Sequence, residues 1–287
     1  MGRTPAAGNT RRAGTFLTGS GPSIVGILNV TPDSFSDGGD FLDPDAAAEH
    51  AAAMLDAGAA IVDVGGESTR PGSDPVSQEE EVGRVVPVIE RITAARPEAV
   101  ISIDTYRSGT AAAALEAGAR LVNDITALRG DPRMVSVVAE AGCPVVLMHM
   151  QGEPKTMQRE PSYGDVVGEV REFLAQRAER AVAAGVRPEH TILDPGIGFG
   201  KKLEHNLTLL RNLEAIVDLG FPVLVGASRK TFIGKITGAQ EASGRVFGTV
   251  ATTVLAYEKG ATLFRVHDVG ANRDALAVAE AVRVGVG

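Results

Sequence analysis

The stretch GILNVTPDSFSDGGDF at 26–41 is apolar up to Asn29 and polar from there on. An asparagine that stops a β-branched run offers a hard amide oxygen, which Mg²⁺ accepts beside substrate phosphate and water. The pattern recurs: Asp63, Asp104, Asn123, His149, Asp194, the triplet Ser228-Arg229-Lys230, Arg265 and His267 all stand in or just after short apolar runs. Asp63, Asp104, Asn123 and Asp194 suit a flat heterocycle rich in N–H groups, because an ionised carboxylate accepts paired donors. Arg70, Lys230, Arg265 and His267 form a cationic set on an acidic chain and suit a phosphate-bearing ligand. One polar residue at a strand end is usually a hydrogen-bond satisfier. Repetition along the whole chain points to a binding rim.

Such a rim needs elements to hold it. The segments AGAAIVDV, AGARLVND, AGCPVVLM, AAGVRPEHTILD, LGFPVLVG and KGATLFRV each set a glycine a few residues before an apolar run. Glycine there reads as a helix stop, since it takes φ > 0 without a Cβ clash. The runs hardly alternate, as expected of strands buried on both faces. Eight strands are predicted, ending near Asn29, Asp63, Asp104, Asn123, Met148, Asp194, Gly226 and Val266. Helices are predicted after the Asp43 cap, from Ser77 to about 95, and over about 108–116, 132–140, 165–184, 204–218, 243–258 and 272–283. Eight βα units predict a (β/α)8 TIM barrel, with the chemistry at the carboxyl ends of its strands. Residues 1–21 read as a flexible extension and 22–287 as one catalytic domain.

Bulk properties narrow the partners. A net charge of −8 over 287 residues argues against general affinity for nucleic acid or anionic lipid. Cys143 is the single cysteine, so neither a disulfide framework nor a cysteine metal site is available. No apolar stretch nears the ~18 residues of a membrane span, and no signal-peptide core is evident. The expectation is a soluble cytoplasmic protein. GIGFGK at 196–201 is not a phosphate-binding P-loop, because Pro195 stands where that motif needs glycine. His50, His190 and His205 read as structural. Arg229 reads as a residue that points outward to hold its loop, while His149 is open between packing and ligand contact.

Taken together, GILNVTPDSFSDGG, DVGGESTRPGS, ISIDTYR, VNDI, LMHMQGEPKTM, DPGIGFGK, GASRKTFIG and FRVHDV resemble the dihydropteroate synthase family, in order, from about residue 24 to 284. The resemblance implies a Mg²⁺-dependent barrel enzyme, usually a homodimer and a sulfonamide target. It would condense 6-hydroxymethyl-7,8-dihydropterin diphosphate with 4-aminobenzoate in folate synthesis. It assigns the pterin to Asp104, Asn123, Asp194 and Lys230, with Met148 and Phe199 lining the pocket. Arg265 would lie over the pterin face and also reach phosphate. Asn29, Thr69, Arg70, Arg265 and His267 would surround the diphosphate, Asn29 also holding the metal. Phe35, Thr69, Pro71, Phe199 and Lys230 would shape the aminobenzoate pocket, and the helix start at Thr231 would receive its carboxylate. Asp63 would bind substrate or position Asn29 and Arg70. The loops at 30–40 and 67–76 would close over the site, bringing Phe35 and Asp37 onto the second substrate. Two alternatives share the barrel and its acids: a catalytically silent pterin-binding paralogue and a corrinoid-linked methyltransferase. The latter needs no diphosphate site, so STRPG and SRK speak against it.

Overall fold

The computed structural model describes residues 21–31, 43–68 and 72–285. Most of the extension foreseen at 1–21 therefore lies outside the described residues. So do Phe35, Asp37, Thr69, Arg70 and Pro71.

Eight strands form one parallel sheet: β1 (Ser23–Asn29), β2 (Ile61–Gly65), β3 (Ile101–Asp104), β4 (Leu121–Asp124), β5 (Val145–Met148), β6 (Thr191–Asp194), β7 (Leu224–Val225) and β8 (Leu263–Val266). Neighbours pair in chain order and β8 returns to β1, with Val25 opposite Arg265. A single bridge, Leu193 to Val223, joins β6 to β7 and completes the barrel. This is the expected (β/α)8 fold. Three strand ends differ from expectation. β2 runs past Asp63 to Gly65, β4 past Asn123 to Asp124, and β7 stops before Gly226.

The outer helices are α1 (Pro44–Asp56), α2 (Gln78–Ala95), α3 (Ser108–Ala117), α4 (Met134–Ala141), α5 (Val166–Ala183), α6 (Leu203–Arg211), α7 (Glu214–Val217), α8 (Thr231–Thr237), α9 (Val246–Glu258) and α10 (Val269–Val284). Their starts follow the capping residues. Asp43 accepts from the Asp45 N–H at 2.9 Å, and Ser77 accepts from that of Glu80 at 3.1 Å. The glycines predicted as stops, Gly58, Gly118, Gly142, Gly185, Gly220 and Gly260, all have positive φ. The helix expected over 204–218 is instead two. At the break, the Asn212 side chain donates back to the Thr208 carbonyl at 2.8 Å, a local bond that competes with helix propagation. Helix α8 begins at Thr231, where the resemblance placed a helix start, although the apolar pattern alone predicted no helix there. A 3-10 turn at Ala242–Arg245 delays α9, and α10 begins at Val269 rather than 272. Among the described residues, no helix is long and apolar enough to cross a membrane.

Strand periodicity explains the site. Val25, Ile61, Leu121, Val146, Ile192, Leu224 and Leu263 cluster inside the barrel base, and Ser102 of β3 lies beside them. Moving two residues along each strand keeps a side chain on the same face. That step takes Ile61 to Asp63, Ser102 to Asp104, Leu121 to Asn123, Val146 to Met148, Ile192 to Asp194 and Leu263 to Arg265. An apolar plug therefore carries a polar floor directly above it.

Candidate active site

Arg265 organises that floor. Its Nε donates to Asp63 Oδ2 at 2.6 Å and its Nη2 to Asp104 Oδ2 at 2.8 Å, crossing from β8 to β2 and β3. Asn123 donates to the same Asp63 oxygen at 2.9 Å, while Asp63 Oδ1 is buried and has no partner among the described residues. Asp63 thus holds Arg265 and Asn123, no hydrogen bond joins it to Asn29, and Arg70 lies outside the described residues. Burial pushes Asp104 up to about 7, with Arg265 opposing and Asp63 adding to the rise. Burial also raises Asp194 above the usual carboxylate range, against the pull of Lys230 and of the Gly196 N–H that Asp194 accepts at 2.6 Å.

Two loops form the walls. The β6–α6 loop carries Phe199, whose ring centroid lies 4.4 Å from Lys230 Nζ. Lys230 also donates to the Ile197 carbonyl of that loop, and burial pulls its ammonium down to about 8 against Asp194. Met148, Ile125, Met150 and Met157 form an apolar cluster against which Phe199 and Tyr106 pack. Thr231, at the first turn of α8, faces a cavity of about 360 Å³ that Gly198, Gln158 and Lys235 also line. His267 Nδ1 lies 2.9 Å from Ser228 Oγ, which accepts from the His267 N–H at 3.1 Å.

The pterin-binding enzyme family matches residues 25–267. A curated dihydropteroate synthase from Synechocystis is 47% identical, over 93% of this chain and 92% of its own length. Among solved structures, the Xanthomonas albilineans dihydropteroate synthase with 4-aminobenzoic acid superposes with a TM-score of 0.88 at 46% identity, covering 93% of this chain and 95% of the other. The same enzyme in complex with 7,8-dihydropteroate gives 0.84 at 43% identity over the same shares. This chain belongs to the dihydropteroate synthases.

As a dihydropteroate synthase it has a more extensive support structure than its motifs announce. Arg229 does hold its loop: its guanidinium makes a two-pronged pair with Asp268, at 2.9 and 2.5 Å. It does so from a left-handed backbone, φ +55°. Lys201 is 3% exposed and points into backbone carbonyls. His149 is buried beside it, and burial followed by the Lys201 charge pushes the imidazole down to about 3, so it is neutral. Glu67 accepts from Tyr106 Oη at 3.0 Å, Arg107 at 2.7 Å and the Val76 N–H at 3.0 Å, tying both stems of the β2–α2 loop together. Glu67, Arg107 and Asp268 lie within the family motifs without a role of their own there, and Asn206, which accepts the Gly198 N–H at 2.7 Å, lies outside them. Their one available signal was a charged or amide residue beside a motif glycine or strand end, which is too common to single them out.

Proposed function

We propose that this synthase condenses 6-hydroxymethyl-7,8-dihydropterin diphosphate with 4-aminobenzoate, giving 7,8-dihydropteroate and pyrophosphate in folate biosynthesis. The observation that carries the reading is the floor itself: Asp104, Asn123 and Asp194, with Arg265 bridging two acids, all within one barrel mouth. The floor's acceptors would take the N–H edge of the pterin, with Met148 and Phe199 against its flat faces and Lys230 donating to a ring acceptor. Arg265 has Nε and Nη2 committed to carboxylates, and among the described residues no partner takes Nη1, which would serve phosphate. His267 would share that duty. Thr69 and Arg70 join the diphosphate, and Phe35 and Pro71 the aminobenzoate, on the strength of the sequence alone. Thr231 would receive the aminobenzoate carboxylate at the edge of the cavity it lines.

The chemistry needs no enzyme nucleophile. The bond from the pterin methylene carbon to the diphosphate oxygen breaks, and its electron pair leaves with pyrophosphate. Arg265, His267 and Arg70 would stabilise that developing charge. The methylene cation spreads into the dihydropterin ring, where Asp104 in its carboxylate form offsets it. The neutral amine of 4-aminobenzoate then forms the new C–N bond and loses a proton to solvent or to a phosphate oxygen. Closing loops would keep water from capturing the cation first. Asn29 ends β1 half-buried, and no described residue hydrogen-bonds its amide, so its oxygen fits a hard cation shared with substrate phosphate. Mg²⁺ held there would supply charge neutralisation to the leaving pyrophosphate.

The synthase is further read as a homodimer. Phe247 and Leu255 on α9 and Val278 and Val282 on α10 are more than half exposed, on two helices packed together, and large apolar side chains in such number mark a contact surface. Neither nucleic acid nor membrane belongs among its partners, and a cytoplasmic setting suits a biosynthetic enzyme of small soluble substrates.

The deciding experiment measures pyrophosphate release from purified protein with the dihydropterin diphosphate, with and without 4-aminobenzoate, and after EDTA. Release that depends on Mg²⁺ and yields dihydropteroate only with both substrates is expected. Pterin binding without product would overturn the reading.

A further inference from the structure

Lys201 follows the glycine-rich loop yet is turned inward. Its Nζ lies 2.9 Å from His149 Nδ1, 3.0 Å from the Gly196 carbonyl oxygen, 3.0 Å from that of Phe199 and 3.3 Å from that of His149. Burial pulls the Lys201 ammonium down to about 7, yet an ammonium has three protons and no lone pair, so four converging acceptors fit the charged form. A neutral amine would present a lone pair to oxygen atoms. The acceptors come from two different loops, the one after β5 and the one after β6. Those loops are pressed together so closely that a Cβ on Gly196 would collide with the His149 carbonyl, and one on Gly200 with that of Gln151. Both glycines also have positive φ.

Every other polar anchor of this loop has a separate partner. Asp194 takes the Gly196 N–H, Asn206 takes the Gly198 N–H at 2.7 Å, and Tyr163 Oη donates to the Gly200 carbonyl at 2.8 Å. Gln158 and Lys230 donate to the Gly198 and Ile197 carbonyls, and among the described residues only Lys201 ties the carbonyl of Phe199 to the neighbouring loop. Phe199 in turn carries the ring that Lys230 faces.

We propose that Lys201 is a positioning residue for the second substrate: its buried ammonium draws the His149, Gly196 and Phe199 carbonyls together, so that the loop holds the Phe199 ring against Lys230 as one wall of the aminobenzoate pocket. This rests on the placement of Phe199 and Lys230 in that pocket. A corollary concerns His149. Because its Nδ1 accepts from Lys201, its proton sits on Nε2 and the ring stays neutral.

The test compares Lys201→Met, which keeps an apolar stem but has no donor, with Phe199→Ala, reading KM for each substrate and kcat separately. Both variants are expected to raise KM for 4-aminobenzoate roughly tenfold, with a smaller rise in KM for the pterin diphosphate, which Phe199 also touches, and Lys201→Met is expected to leave kcat within about twofold. If Phe199→Ala does so and Lys201→Met does not, or if Lys201→Met weakens both substrates equally, Lys201 is only a structural residue and the proposal fails. If neither variant changes KM for aminobenzoate, the pocket assignment itself is wrong. Should Lys201→Met not fold, ¹⁵N-histidine spectra of the unmodified protein decide instead. A neutral His149 protonated on Nε2 from about pH 5 to 8 is expected, and a proton on Nδ1 or an imidazolium near pH 6 would refute the contact.

Discussion

Asp104 illustrates how one buried carboxyl sets a pH window. It is 9% exposed, its Oδ2 accepts from Arg265, and burial lifts it to about 7. The sign follows directly. Above about 7 the group is a carboxylate able to accept pterin N–H donors and face a cation, and below it the proton blocks both. We expect kcat/KM for the pterin diphosphate to fall about tenfold per pH unit below this point. Asp104→Asn should flatten that acid limb and cost about 100-fold at pH 8, since an amide has one acceptor atom instead of two and no negative charge. A pH–rate profile of the variant checks both; an unchanged acid limb would assign the titration to another group. The sequence made Asp104, Asn123, Asp194, Lys230 and Arg265 legible because each ends or follows a buried run. It could not show that Asp63 spends its Oδ2 on Arg265 and Asn123, because that contact joins residues 202 and 60 positions apart.

At the level of elements, the turn between β7 and α8 places Lys230 through a strained neighbour. Arg229 has φ +55°, a conformation costing a non-glycine residue about 1 kcal/mol. It is held by the Asp268 pair, by Thr249 Oγ1 on its N–H at 2.9 Å and by Arg245 on its carbonyl at 3.0 Å. Asp268→Ala removes the first of these. We expect a loss of about 1 kcal/mol of stability, modest because the arginine is partly exposed, together with a several-fold drop in kcat/KM as Lys230 loosens. Thermal melts and steady-state kinetics together check it, and a stability loss with kinetics unchanged would separate Arg229 from Lys230. A second expectation concerns the next loop: Gly196→Ala should cost more than about 2 kcal/mol, because φ +65° and the collision with the His149 carbonyl act together. A melting temperature within a degree or two of the parent would refute that. The stop glycines were legible since only a missing Cβ suits the conformation. The α6–α7 break was not, because a side chain bonding back to its own helix leaves no mark on the apolar pattern, and α8, only seven residues long, was legible only through the resemblance that set a helix start at Thr231.

For the whole molecule, the barrel buries its apolar plug and its helix-facing core but leaves α9 and α10 under-covered. Phe247 is 88% exposed and Val282 81%, an arrangement that water disfavours by about 25 cal/mol for every Å² of apolar surface. Two barrels related by a two-fold axis could cover these side chains with each other while leaving both mouths open, since the strands' carboxyl ends hold the site and the helices surround the barrel wall. The expected mass in light scattering at micromolar concentration is therefore twice the 29.7 kDa of one chain. Phe247→Asp combined with Leu255→Asp should yield the single-chain mass, because charge placed against its own copy loses hydration without gaining a partner. Neither residue touches the polar floor or its walls, so 4-aminobenzoate and pterin KM values should move less than threefold if the barrel survives alone. A parent protein that is already monomeric, or a double variant that stays dimeric, would place the contact elsewhere.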